Sequence, residues 1–245
     1  MPENSKNYGL PSHRQLIEQS DWLAPARARL LRRVQIAHCR SVLDLGCGWQ
    51  AVTPELARRS SGTVVVAADA DRRVFFGRTS EPRPFQTVCC DAARLPFRSG
   101  SFDLVFCQFA LLWFQADEAV GEIRRVLGPG GTLVALEPDY GGLIEFPDEI
   151  ATARLWQAAL WRAGADPRIG RRLPGMLAPH GFEVRVDLLD RLVPPSSLRF
   201  DLLRGLPLTE NEAAELDAIA AADSKCDNSR RVVHLPIFLV TATAR

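Results

Sequence analysis

Ser41-Val42-Leu43-Asp44-Leu45-Gly46-Cys47-Gly48-Trp49-Gln50 is the stretch whose reading decides the fold. Val42 to Leu45 is a short apolar run of the kind that is buried as a strand. Gly46 and Gly48 follow it, so the backbone can turn sharply there and leave a concave surface free of side chains. A helix is expected from Thr53-Pro54-Glu55: a threonine cap, a proline suited to the first helical position, and a glutamate at the positive end of the helix dipole. A strand that runs through a glycine bend into a helix is how open α/β sheets hold a ligand at the carboxyl edge of their strands.

Outward from that unit the pattern repeats. Thr63 to Ala68 is a β-branched run suited to burial on both faces, and it ends at Asp69-Ala70-Asp71, where Asp71 is expected to cap the following helix. Thr87 to Cys90 reads as a third strand leading into Asp91-Ala92. The stretch Ser99 to Gln108 reads as a turn and a fourth strand. Glu118 to Leu127 has the apolar spacing of a helix, with Val120, Ile123, Val126 and Leu127 inward. It is expected to stop at Gly128-Pro129-Gly130-Gly131 with glycine at the cap. Thr132 to Glu137 is the fifth strand, Phe182 to Asp190 the sixth and Val232 to Thr243 the seventh.

Two ligands compete for the glycine bend. Gly46-Cys47-Gly48-Trp49-Gln50-Ala51 satisfies the loose G-x-G-x-x-G/A dinucleotide pattern, with Asp69 about 20 residues further on. Asp44 argues the other way. A carboxylate two positions before the first glycine sits badly beside a pyrophosphate and well beside the α-ammonium of a methionine moiety.

The same phrase resembles the first motif of class I methyltransferases that use S-adenosylmethionine, L-D-x-G-C-G-x-G; Gln50 stands where the family usually has a third glycine. Asp91-Ala92-Ala93-Arg94-Leu95-Pro96-Phe97 is similar to the family phrase D-A-x-x-L-P-F. The string from Glu122 to Gly131 is similar to E-x-x-R-V-L-K-P-G-G, with Gly128 in place of lysine. A dinucleotide dehydrogenase has no reason to carry that last string. With Trp113 after the fourth strand, where L-x-H or L-x-W is frequent, the likeness covers Val42 to Pro138. It is to the small-molecule, methyltransferase-domain-11 type.

That resemblance implies a Rossmann-like α/β fold: a seven-stranded, mostly parallel sheet with an antiparallel last strand and helices on both faces. It implies a helical lid over residues 1–40 and a methyltransferase domain over 41–245, with substrate-cap insertions at about 140–181 and 191–230. S-adenosylmethionine is the implied cofactor and S-adenosylhomocysteine its product. Asp44, Gly46, Cys47 and Gly48 would form the cofactor bend. Asp69, with Ala70, would take both ribose hydroxyls, and Asp91 the adenine amine, with the Ala92 N–H offered to a ring nitrogen. Cys107 and Gln108 would face the methionine portion.

Before the first strand, Ser12 to Gln19 is expected as one short helix and Ser20 to Ala37 as a second. As a lid these helices would bring Tyr8, His13, Arg14, Trp22 and Arg27 toward the cavity. If the acceptor must lose a proton, His13, Asp139 and Tyr140 are the candidate bases. Arg171 or Arg172 would suit a carboxylate or phosphate on the acceptor, although such arginines also pair with surface acids. His234 is expected inside the seventh strand as a buried, satisfied histidine.

Thirty basic against 29 acidic residues leave a formal charge of +1, which argues against a nucleic-acid partner and against an anionic membrane patch. The six cysteines have no C-x-x-C or zinc spacing, so no metal is expected and free thiols in a reducing, cytoplasmic setting are. The expected reading is methyl transfer to a small-molecule O, N or C acceptor, a specialised metabolite. The alternatives are a non-methylating S-adenosylmethionine-binding protein of the same fold, a nicotinamide-dependent oxidoreductase, and methyl transfer to a macromolecular acceptor such as tRNA. The acceptor and the oligomeric state are open at this level.

Overall fold

The computed structural model describes residues 11–60, 64–76, 83–190 and 196–245. Tyr8 therefore lies outside the described residues. Seven strands form one sheet: β1 (Ser41–Leu45), β2 (Val64–Asp69), β3 (Gln86–Cys89), β4 (Phe102–Gln108), β5 (Leu127–Pro138), β7 (Phe182–Leu188) and β9 (Ile237–Ala244), in the order β3-β2-β1-β4-β5-β9-β7. β1 to β5 pair in parallel, and β9 runs antiparallel between β5 and β7. This is the expected Rossmann-like sheet, and its carboxyl edge gathers the ends of β1, β2 and β4 around the reversal of strand order.

The strands alternate their side chains between two cores, as a period of two requires. Val42, Val65, Leu104, Phe106, Val134 and Leu239 face one side, where α1 (His13–Arg33) adds Leu23, Ala26, Leu30 and Leu31 and α2 (Thr53–Arg59) adds Leu56. Leu43, Leu45, Val66, Val105, Leu133 and Val240 face the other. There α3 (Ala116–Val126) packs Val120, Ile123 and Val126, α4 (Ala153–Arg162) packs Leu155, Trp156 and Leu160, and α5 (Ile169–Leu177) packs Ile169 and Leu173. α6 (Leu198–Arg204) and α7 (Glu210–Lys225) extend this second core with Phe200, Leu203 and Leu216. A capping box between Thr209 and Glu212 starts α7.

Four expectations are corrected. The N-terminal helices are one 21-residue helix: a Ser12–Gln15 capping box starts it, and Pro25 is carried inside it rather than breaking it. Its second half is a structural layer of the sheet, so only its first turns can act as a lid. Thr53 does not cap α2; Val52 holds that place, and the threonine hydroxyl turns to Asp44. α3 passes directly into β5 at Leu127 without a glycine cap, because Leu127 is already extended and pairs with Phe102. The expected seventh strand divides at Pro236. Its first part, β8 (Val232–His234), leaves the sheet to pair with β6 (Ile144–Phe146) above the carboxyl edge, taking His234 with it.

Candidate active site

The glycine bend takes its shape from left-handed backbone: φ is +74° at Gly46, +49° at Gly48 and +59° at Gln50. Only the first two suit their residue. Gln50 is held in this conformation from both ends of its amide, which donates to the Val74 carbonyl at 2.7 Å and accepts from Arg83 at 2.9 Å. Its side chain is thus buried against the segment after β2 and does not crowd the bend. The Gly46 and Cys47 N–H groups both donate to the Ala68 carbonyl, which ties the bend to the end of β2.

Asp69 stands beside the bend. One carboxylate oxygen accepts from the Gly48 N–H at 2.8 Å and the other from the Asp71 N–H at 2.9 Å. Each oxygen keeps a second lone pair. Burial raises the pKa of this group, against the pull of its backbone donors. Asp71 caps the short 3-10 turn after β2 by accepting from the Arg73 N–H. Asp91, at the end of β3, is exposed and closes its own turn by accepting from the Ala93 N–H at 2.9 Å, with Ala92 buried beneath it. Asp44 is buried behind the bend, where it accepts from the Thr53 hydroxyl at 2.5 Å, and burial pushes its carboxyl up to about 7.

The first turns of α1 close over this edge. Leu16 Cδ1 lies 3.1 Å from where a Cβ on Gly48 would stand, and the Trp49 indole donates to the Pro11 carbonyl at 2.9 Å. Arg27 is 3% exposed. Its guanidinium donates twice to Glu55, at 2.8 and 2.6 Å, once to the Ser20 carbonyl, and at 3.0 Å to the side-chain oxygen of Gln108. The Trp22 ring meets Phe109 edge-on, 6.4 Å between centroids. Among the lid residues expected to line the cavity, Trp22 and Arg27 thus reach the carboxyl edge. Arg14 points outward and pairs with Glu18, and His13 is exposed at the first position of α1, one turn before Leu16.

Several of the expected site side chains are engaged in contacts within the protein. Cys107 has no exposed surface and its side chain faces the second core. Tyr140 is stacked on Trp156 at 4.6 Å, and burial drives its phenol well above the usual range, the reverse of what a base needs. Asp139 is buried, bonded to Arg171 at 2.5 Å and to the Gly141 N–H. Arg171 gives its Nε to Asp139 and Arg172 one terminal nitrogen to Asp166, and both side chains are otherwise about half exposed. Thr53, Glu55 and Glu137 belong to the site region but read from sequence only as helix-start and strand-end residues. A hydroxyl nine residues after Asp44 and a Glu-Pro ending β5 were the available signals.

Residues 43–135 match the family model described as a methyltransferase domain. A malonyl-[acyl-carrier protein] O-methyltransferase of Alcanivorax borkumensis is 31% identical over 180 residues, 62% of this chain and 57% of that one. A demethylmenaquinone methyltransferase of Thermus thermophilus is 37% identical over 103 residues, 40% and 47% of the two chains. The chain spans about half the length of these curated relatives. Among solved structures, the YcgJ protein of Bacillus subtilis superposes with a TM-score of 0.61 at 19% identity, over 89% of this chain and 99% of that one. The matched segment is a methyltransferase domain of the class I, S-adenosylmethionine-dependent kind. The nicotinamide alternative falls with that assignment.

Proposed function

We propose that the protein transfers a methyl group from S-adenosylmethionine to a small-molecule acceptor. The observation that carries this reading is the Asp69 carboxylate, oriented by two backbone N–H groups beside a left-handed glycine bend. Its remaining lone pairs suit the ribose hydroxyls of an adenosine moiety, and the methyltransferase-domain match over residues 43–135 favours the sulfonium nucleoside over a dinucleotide as the owner of that ribose. Asp91 and the Ala92 N–H, one strand further out, suit an adenine edge. Gln108 and Arg27, above the end of β4, suit the amino-acid end. Asp44 supports the bend through Thr53 rather than presenting a surface of its own.

When bound, the cofactor supplies a methyl already activated by a sulfonium. The chain has to hold an acceptor atom about 3–3.5 Å away, in line, and to exclude water. The closing turns of α1 serve the second task. Where the acceptor must lose a proton, His13 is the candidate left after Asp139 and Tyr140 are spent on other contacts. Relatives named for a malonyl group on an acyl carrier and for a quinone precursor differ in acceptor. We therefore carry over only the class, a small acceptor that is free or borne on a carrier, and not a specialised metabolite in particular.

Calorimetric titration with S-adenosylmethionine tests the reading. The wild type is expected to bind, and Asp69→Ala to lose roughly 1.5–3 kcal/mol, the worth of hydrogen bonds to a charged group. Equal affinity in the two proteins overturns the ribose assignment. Binding without transfer of labelled methyl to any component of a cell extract or to malonyl-acyl carrier would favour the non-methylating alternative.

A further inference from the structure

Glu137 lies at the end of β5 with no exposed surface, after Leu133, Val134, Ala135 and Leu136 on the strand and opposite Phe238 of β9. One carboxyl oxygen accepts from the Ala110 N–H at 3.1 Å and the Leu111 N–H at 3.0 Å, and the other has no partner among the described residues. Burying a half-satisfied carboxyl is unfavourable, so the contacts it does make carry the reason for its presence. Those two N–H groups open the 3-10 turn Leu111–Trp113, which has no side-chain cap of its own. Glu137 supplies that cap from the neighbouring strand.

The segment it holds joins two parts of the site. Phe109 is a non-glycine residue at φ +53°, a strained conformation that persists only where its surroundings impose it. Its ring meets Trp22 of the lid. The next residue, Ala110, places its Cβ 2.5 Å from where a Cβ on Gly46 would be, so the two backbones are in close contact. A shift of Ala110 is a shift of the cofactor bend.

We propose that Glu137 is a positioning residue for cofactor binding: through the N–H groups of Ala110 and Leu111 it sets the spacing between the segment after β4 and the glycine bend. This rests on the function proposed above. Three variants test it by calorimetric titration with S-adenosylhomocysteine, with thermal melting of each. Glu137→Gln keeps the accepting oxygen and is expected to bind within about threefold of wild type. Glu137→Leu keeps the volume but leaves both N–H groups without an acceptor, and is expected to lose tenfold or more. Ala110→Gly removes the abutting methyl without burying any new polar group, and is expected to weaken binding severalfold even if Glu137→Leu does not fold. Leu177→Ala, in the core of α5, should lower the melting temperature with affinity unchanged, separating loss of stability from loss of positioning. Wild-type affinity in folded Glu137→Leu, or in Ala110→Gly, overturns the proposal. A wild type that fails to bind overturns instead the function on which it rests.

Discussion

At the scale of single residues, Gln50 shows how a departure from a motif can be accommodated. A side chain in the left-handed region costs about 1 kcal/mol relative to glycine. Its amide makes two hydrogen bonds, to the Val74 carbonyl and Arg83, each worth about 0.5–1.5 kcal/mol. The strain offsets part of the bonds, so Gln50→Gly is expected to destabilise by about 0–2 kcal/mol. Gln50→Ala keeps the strain and loses both bonds, and should cost about 1–3 kcal/mol. Urea unfolding orders the two; both variants lose the amide, so alanine found to be the milder change would mean that the left-handed backbone at this position carries no strain. The departure itself was plain from sequence. Its remedy was not, because Val74 and Arg83 lie 24 and 33 positions away.

Among the elements, α1 was the least legible. Ser20 reads as the start of a second helix, yet the first runs on through it and past Pro25, because Leu23, Ala26, Leu30 and Leu31 are spaced to seal one face of the sheet. Arg27 was expected at the cavity, but its partners were hidden from any local reading, since Glu55 and Gln108 come from α2 and β4. By contrast β1, β2 and β4 were legible almost to the residue, their β-branched and apolar runs being buried on both faces. Strand β9 was overextended for the same reason: Val232 and Val233 are as apolar as Ile237 to Val240, and only Pro236 marks the change of partner. Arg27 permits a test of how α1 is anchored. Glu55 is held low: burial works to raise its pKa, but the Arg27 guanidinium, aided by Arg59, outweighs it. Removing one partner of a buried pair costs about 3–5 kcal/mol, and Glu55 keeps Arg59. Arg27→Met should therefore destabilise by about 3 kcal/mol and speed amide exchange in the first half of α1. Unchanged exchange there would mean that Leu16 and Trp22 suffice to hold the lid.

For the whole molecule, the carboxyl edge is stocked with more buried carboxyl groups than arginines can neutralise, and this sets how stability responds to pH. Burial pushes both Asp44 and Glu137 up to about 7. An acid whose folded pKa lies above its unfolded value holds its proton more tightly in the folded state. Its contribution is therefore fully present below the unfolded pKa near 4, and is lost as pH rises through 7. The acids held low, Glu55, Glu122 and Asp187 by arginine and Glu212 chiefly by the Thr209 N–H, act in the opposite sense, but their window lies below about pH 4.5. His234, lowered by partial burial, also opposes the trend, as a single half-exposed group. The two buried carboxyls consequently dominate between about pH 5 and 7.5. Unfolding free energy measured by urea titration should fall across that interval, at up to about 1.4 kcal/mol per pH unit for each group. Glu137→Gln keeps the accepting oxygen and has no proton to lose, so it should remove about half of the slope while leaving stability at about pH 5 nearly unchanged. A wild-type curve that is flat or rising across the same interval would mean that these carboxyls ionise freely in the folded protein, and that the edge of the sheet is far wetter than its packing implies.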